Sequence, residues 1–391
     1  MGKTIKIAIY TGVVPSSTFI ERLIHGLAKK GLQIYLFGVQ RRKPTLYNNV
    51  FHFTITKKRV SRLLQFIKYS LLLSFSCYKD KKKLDVIISA QNKNARQLKI
   101  KYYPVLYHRP DIFHLQWAKS IEDWLWVQNF GIKLVLSLRG THVTISPIGD
   151  KQWNRIYSEH FPRVDGFHAV SDSMIPIAQK FGVNPEKIKV VKSGLDIEKL
   201  TFTRKPETGK ELSIVSIGRS HWVKGFSYAL DAMNLLEKDN IDFNYTIVGV
   251  DKDEELLYKR SQFGLEDKVT FKAIVPFTEV LALIRDADVL LLSSVEEGIA
   301  NVVLEAMALG TLVVSNDCGG MSEVITDNKN GFLVPLRNSE ALANALRNVS
   351  EINLESYNNI TQAARNTIES QHNYENMIVE MKDLYHTVLK D

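Results

Sequence analysis

The sequence predicts an α/β protein made of two Rossmann-like, doubly wound domains in series. Its 391 residues exceed what one hydrophobic core usually organises, so two domains of roughly 150 to 200 residues are expected. Short β-branched runs alternate with longer helical patterns, the rhythm of a parallel sheet with crossover helices. Near 196–212 that rhythm stops in a polar stretch, Thr203-Arg204-Lys205-Pro206-Glu207-Thr208-Gly209-Lys210, and then starts afresh.

In the first half, Ile5-Lys6-Ile7-Ala8-Ile9-Tyr10 reads as a buried first strand, too short to be the core of a signal peptide. A loop through Gly12 and Pro15 follows, then a helix from about Thr18 to Lys30. Further strands are expected at Gln33–Phe37, Asp85–Ala90, Ile112–Leu115, Lys133–Leu138, Gly166–Val170 and Lys189–Val191. Between them Leu63 to Cys77 is apolar but interrupted by Gln65 and Lys68, and falls short of the ~20 residues of a spanning helix. Its flanks carry Lys57, Lys58, Arg59 and Arg62 before and Lys79, Lys81, Lys82 and Lys83 after. Two readings stay open for it: a helix lying in a membrane interface, or a core helix with a basic cap.

The second series comprises Leu212–Ile217, Tyr245–Val248, Val269–Phe271, Val289–Ser293, Leu312–Ser315 and Phe332–Val334, with a helical tail from about Leu354 to Leu389. These bounds place one domain at 1–202, a second at 203–375, and a last helix, 376–391, in position to pack back on the first. Two such domains leave one cleft between them.

Composition narrows the class. With 45% hydrophobic and 24% charged residues the chain is neither disordered nor fibrous. Cys77 and Cys318 stand far apart, which argues against a disulfide framework or thiolate metal site and suits a reducing cytosol. The net charge of +9 hides an asymmetry: residues 1–200 hold 33 Lys+Arg against 13 Asp+Glu, whereas residues 201–391 hold 18 against 29. A basic half of this size faces a nucleic acid, a membrane surface or an acidic substrate, or is a set of solvated lysines. No nucleic-acid-binding module is recognisable in it.

Neither domain has Gly-x-Gly-x-x-Gly after its first strand and no P-loop pattern occurs, so dinucleotide and P-loop readings lose their support. After Leu212–Ile217 comes Gly218-Arg219-Ser220-His221-Trp222-Val223-Lys224-Gly225, which sets two cations on a glycine loop at a strand's carboxyl end. Such a loop suits a pyrophosphate, Arg219 gripping it bidentately and Lys224 as a point charge, unless the two are an ordinary surface pair. After Val289–Ser293 the chain turns at Gly298 into a helix ended by Gly310, with Glu297 in the loop and Glu305 about one turn inside. Free amides at that helix start suit a phosphate and a carboxylate further in suits a ribose diol; alternatively both glutamates only complement the helix dipole.

Together these clusters are specific. Gly218-Arg219-x4-Lys224-Gly225, Glu297-x7-Glu305, Asp317-Cys318-Gly319-Gly320-x2-Glu323 and Asn330-Gly331-Phe332-Leu333-Val334 resemble, in order and spacing, the nucleotide-sugar domain of family 4 retaining glycosyltransferases of the GT-B fold. The resemblance runs over about 210–350. In the first half, Pro15 to Ile20 and Asp111-Ile112-Phe113-His114-Leu115 look like members that build bacterial surface polysaccharides.

The resemblance implies that Arg219 and Lys224 hold the donor diphosphate, Glu305 the ribose and Glu297 the hexose hydroxyls. Gly298, Ile299, Ala300 and Asn301 would give backbone contacts to sugar and phosphate, Ile274 would lie beside the base, and Gly12 would approach the donor. Ser17 and His142 stand on the acceptor side, His142 being equally readable as an ordinary loop histidine. Two departures matter. The first loop reads Thr11-Gly12-Val13 rather than Gly-Gly, and the family's frequent His-Gly-x-Asp is here Arg139-Gly140-Thr141-His142, so Arg139 takes the histidine's place facing the cleft.

The expected reaction is transfer with retention from a UDP- or GDP-linked sugar to a glycan or lipid-linked acceptor. It would need no metal or other cofactor, and whether Glu297 acts as a nucleophile stays open. The expected place is the cytoplasm, at the inner face of the membrane, held by the basic half to anionic lipid. A GT-B-like sugar-nucleotide epimerase and a non-catalytic nucleotide-sugar binder are the rivals. Release of nucleoside diphosphate only with acceptor separates the first reading from both.

Overall fold

The computed structural model describes residues 5–91, 93–205 and 211–390. Of the expected linker, Pro206 to Lys210 lie outside the described residues. The chain divides into two compact units: one runs up to Val170 and takes in Met174–Val191 and the C-terminal helix from Glu375, and the other holds Ser171–Ser173 and Lys192–Tyr374.

The first unit is a seven-stranded sheet of β1 (Lys6–Val14), β2 (Gln33–Gln40), β3 (Val50–Ile55), β4 (Ile112–Leu115), β5 (Lys133–Leu138), β6 (Gly166–Ala169) and β7 (Ile188–Val190), in the order β3-β2-β1-β4-β5-β6-β7. Every pair is parallel, with Ile7 opposite Ile34 on one side and Ile112 on the other. Helices cover both faces, so Ile7, Ala8 and Ile9 are fully buried and the strand reads as a continuous apolar run. β1 extends past Tyr10 to Val14 across an irregularity at Gly12, whose φ of 76° suits glycine.

One expectation is corrected here, and one strand is added. Asp85–Ala90 is not a strand but the end of a helix, α3 (Tyr78–Ser89), which follows α1 (Thr18–Lys29) and α2 (Arg59–Ser76) and precedes α4 (Ala95–His108). Its buried residues Leu84 and Ile88 are one turn apart while Val86 is 63% exposed, a helical rather than alternating pattern that the run Val-Ile-Ile disguised. The strand that sequence reading missed is β3, a sheet edge whose Val50-Phe51-His52-Phe53-Thr54-Ile55 has the β-branched and aromatic content of a strand.

The helix Tyr374–Lys390 buries Met377, Ile378, Met381, Leu384, Tyr385 and Val388. It passes β6 so closely that a Cβ on Gly166 would overlap the Val388 side chain. Glycine at that strand position is what lets the helix in.

The second unit has β8 (Leu212–Ile217), β9 (Phe243–Val248), β10 (Val269–Lys272), β11 (Val289–Leu292), β12 (Leu312–Asn316) and β13 (Phe332–Val334), all parallel, in the order β10-β9-β8-β11-β12-β13. The helices Phe226–Lys238 and Ser339–Glu351 pack on one face, and Asn301–Leu309 and Leu354–Gln371 on the other. Strand order reverses between β8 and β11. The loops leaving those two strands diverge there, opening the crevice where ligands bind in open α/β sheets.

Candidate functional site

The carboxyl edge of the second sheet is assembled by glycines. Gly225 has φ 63° in the loop after β8, and a Cβ there would overlap the carbonyl oxygen of Ser293 at the end of β11. The approach is fixed by Val295 N donating to Val223 O at 2.8 Å and Ser293 Oγ to Lys224 O at 2.9 Å. Gly319, φ 56°, sits against the Glu297 carbonyl, and Gly320 N donates to Gly298 O at 2.8 Å, so the loop after β12 holds the Glu297-Gly298 peptide. Gly249, φ 95°, does the same for Gly218 from the loop after β9. Four loops are locked by contacts that only a residue without a side chain allows.

On this frame Lys224 Nζ meets Glu297 Oε1 at 2.5 Å, and Ser294 Oγ donates to the same oxygen at 3.0 Å. Both side chains are mostly buried, 22% and 18% exposed, and the lysine stem lies along Gly218. Arg219 is exposed. The helix Asn301–Leu309 starts at Ala300 without a side-chain cap, which leaves its first amides to water or a ligand. Asn301 Oδ1 is enclosed there with no hydrogen-bond partner. Glu305 is 4% exposed, just past the helix's first turn. Arg219, Lys224, Glu297, Gly298, Ile299, Ala300, Asn301 and Glu305 are thus carried by β8 and β11, the adjacent strands of the switch point. Ile274 is 84% exposed beyond β10, two strands away from β8.

Sequence reasoning missed what Glu323 does. Its two oxygens accept the amides of Asp172 (2.9 Å) and Ser173 (2.8 Å), tying the segment Ser171–Ser173 to the second unit.

The first unit carries the other predicted residues. Gly12 lies within β1, and Ser17 is exposed at the start of α1, where it makes no side-chain cap. His142 is half-buried with its ring 5.3 Å from that of Trp117. Arg139 follows β5; its Nη2 donates to Gln116 Oε1 at 3.2 Å and lies 3.5 Å from His168 Nδ1, with the Phe19 ring 4.8 Å from the guanidinium. Burial pulls its pKa down to about 10.

Beneath Arg139 runs a buried chain of hydrogen bonds whose direction is determined by its end. His168 Nε2 faces Val191 O at 3.0 Å and must donate, so Nδ1 accepts from Ser137 Oγ at 2.9 Å. Ser137 Oγ then accepts from His114 Nε2 (2.8 Å), and His114 Nδ1 from Tyr385 Oη (2.7 Å). Both imidazoles are neutral. Burial, with Arg139 adding to it, pushes His114 down to about 3 and His168 well below its ordinary value. Two histidines in otherwise apolar strands were the sequence signal for this chain.

The chain matches the family described as Glycosyltransferase Family 4 over residues 16–199 and Glycosyl transferases group 1 over residues 198–367. It is 30% identical over 265 residues to a Salmonella typhimurium protein named as the colanic acid biosynthesis glycosyltransferase WcaL, covering 64% of this chain and 65% of that one. It is likewise 30% identical over 228 residues to the amylovoran biosynthesis glycosyltransferase AmsK of Erwinia amylovora, covering 55% and 56%. The matches therefore span less than two thirds of these relatives' length. Among solved structures, Anabaena Alr3699/HepE in complex with UDP-glucose superposes with a TM-score of 0.75 at 16% identity, over 98% of this chain and 100% of that one.

Proposed function

The chain belongs to glycosyltransferase family 4 and has the two-domain GT-B fold; from that membership we propose that it moves a hexosyl group, with retention at the anomeric carbon, from a nucleoside diphosphate sugar to a growing surface glycan. The observation that carries the reading is the Lys224–Glu297 pair at the switch point, beside an uncapped helix start with Glu305 just inside. In that arrangement Glu305 accepts the ribose hydroxyls, Glu297 the hexose hydroxyls, and Arg219, Lys224 and the helix amides take the charge that develops on the departing diphosphate. No metal or other cofactor has a part in this reading. Arg139, held against neutral partners, keeps its charge for the sugar or the acceptor.

The named relatives support a polysaccharide product, and the UDP-glucose of the Anabaena neighbour makes UDP the first nucleotide to try. The acceptor, on this reading, is a glycan or lipid-linked glycan presented at the cytoplasmic face of an anionic membrane. Epimerisation and mere binding find no support among the relatives. Release of nucleoside diphosphate from a nucleotide sugar only when acceptor is added is the expected result; donor isomerisation, or binding without release for every acceptor, would overturn it. A thermal-shift panel of nucleoside diphosphates and their sugars selects the donor, since a ligand at 100 times its Kd adds about 2.7 kcal/mol.

A further inference from the structure

α2 presents an apolar stripe outward. Val60, Leu64, Ile67, Leu71 and Phe75 recur at helical spacing and are 68%, 61%, 43%, 54% and 88% exposed. The opposite side of the same helix buries Tyr69 and Leu73 in the core of the first unit. α3 also exposes two large apolar side chains, Tyr78 and Val86, at 62% and 63%. A contiguous row of this kind is far more than the scattered apolar residues of an ordinary surface.

Cations surround it. Lys57, Lys58, Arg59, Lys68, Lys79 and Lys82 are exposed, and none forms an ion pair with another described residue. The nearby carboxylates are already engaged, Asp80 by Arg109 and Asp85 by Lys99 and Tyr103. Between the start of α2 and α4 lies a groove of about 350 Å³ whose walls bring together Arg59, Arg62 and Arg96 over the apolar Val60, Leu63 and Ile100. No ion pair among the described residues neutralises any of these arginines, and Arg62 Nε is enclosed with no hydrogen-bond partner.

The geometry points to this face as the docking surface for an anionic phospholipid bilayer, with a headgroup phosphate in the arginine groove and the α2 stripe at the acyl boundary. It rests on the reading that the acceptor is presented at a membrane. The chemistry matches on both counts: guanidinium forks pair with phosphate oxygens, and an apolar helix face between cations is what settles in a charged interface. A second copy of the chain would set cations against cations. A nucleic acid would leave the apolar row exposed to water.

The test is cosedimentation of the full chain with vesicles of equimolar phosphatidylglycerol and phosphatidylcholine, and with phosphatidylcholine alone. Binding is expected to the anionic vesicles only, and to be released by salt at about 0.5 M, where the screening length falls to a few ångströms. Leu64→Glu, Leu71→Glu and Phe75→Glu together should abolish it. Arg59→Gln, Arg62→Gln and Arg96→Gln together should weaken it at least tenfold, and more than Lys57→Gln, Lys58→Gln and Lys82→Gln, which remove as many charges outside the groove. Far-ultraviolet circular dichroism and the urea unfolding midpoint are measured on each variant to confirm that it is folded. Indifference to the anionic vesicles at low salt, or retention of binding by the Leu64/Leu71/Phe75 variant, overturns the docking surface. Equal effects of the two triple cation variants overturn the headgroup groove, and self-association lost in the apolar variant assigns the stripe to a second copy instead. Nucleoside diphosphate release to a detergent-dispersed acceptor is read separately: turnover without vesicle binding rejects this inference alone, and vesicle binding without turnover rejects the transferase reading alone.

Discussion

Replacing Lys224 by Met tests the centre of the proposed donor site, because it removes the charge and keeps a stem to lie along Gly218. In the resting protein the ammonium is 2.5 Å from Glu297, with the two side chains 22% and 18% exposed. Exposed pairs contribute about 0.2–1 kcal/mol, whereas removing one partner of a fully buried pair costs about 3–5 kcal/mol. This pair lies between, and Glu297 keeps its bond from Ser294, so a loss of about 1–3 kcal/mol of stability is expected. The effect on turnover should be larger. Removing one preorganised donor from a developing oxyanion costs about 2.7–4 kcal/mol, or a hundredfold or more in kcat. Glu297→Gln separates the two roles of the pair, since it frees Lys224 for phosphate: UDP affinity should hold or rise while turnover falls. The assay is nucleoside diphosphate release alongside UDP binding by calorimetry, with unfolding followed in urea. A folded Lys224→Met protein whose UDP affinity and turnover stay within threefold of the parent would refute the assignment of Lys224 to the diphosphate.

Glu305→Gln should leave the fold intact and lower nucleotide affinity by ten-fold or more, because a charged acceptor of two ribose hydroxyls loses about 1.5–3 kcal/mol; a 2′-deoxy nucleotide should show less of the difference. Gly319→Ala should abolish donor binding, since a Cβ at φ 56° overlaps the Glu297 carbonyl, whereas Gly131→Ala, at φ 73° in open space, should affect only stability. Acid should destabilise the protein through its buried neutral histidines. His114, at about 3, and His372, at about 4, are held below their ordinary 6.5 by burial first, so the unfolded chain binds more protons. Their contribution is complete above 6.5 and is lost as pH falls below it. Between pH 6.5 and 5 each should cost about 2 kcal/mol, read as a falling urea midpoint, and Tyr385→Phe should cost about 1–3 kcal/mol at pH 7 by leaving His114 Nδ1 without its donor.

Most of the second unit was legible because its chemistry is local in sequence. The pair Gly218-Arg219 and Lys224, and the series Glu297 to Glu305, each lie on a single strand-loop-helix passage, so spacing alone places them at one sheet edge. What spacing leaves out is how the passages are locked together. Gly319 reaches Glu297, and Gly249 reaches Gly218, across loops that the strand order makes neighbours; the glycines are visible in the sequence but their partners are not. The errors in the first unit have the same origin. Val86-Ile87-Ile88 has strand composition, yet Leu84 and Ile88 are buried together on α3, so tertiary burial rather than propensity decides its form. Long-range polar pairing was the least legible of all. His114, Ser137, His168 and Tyr385 belong to three strands and a helix as much as 271 residues apart, and the first three each look like an isolated polar residue in an apolar run. Only the fold shows that they satisfy one another, and that Arg139 lies against one of the two neutral histidines, His168.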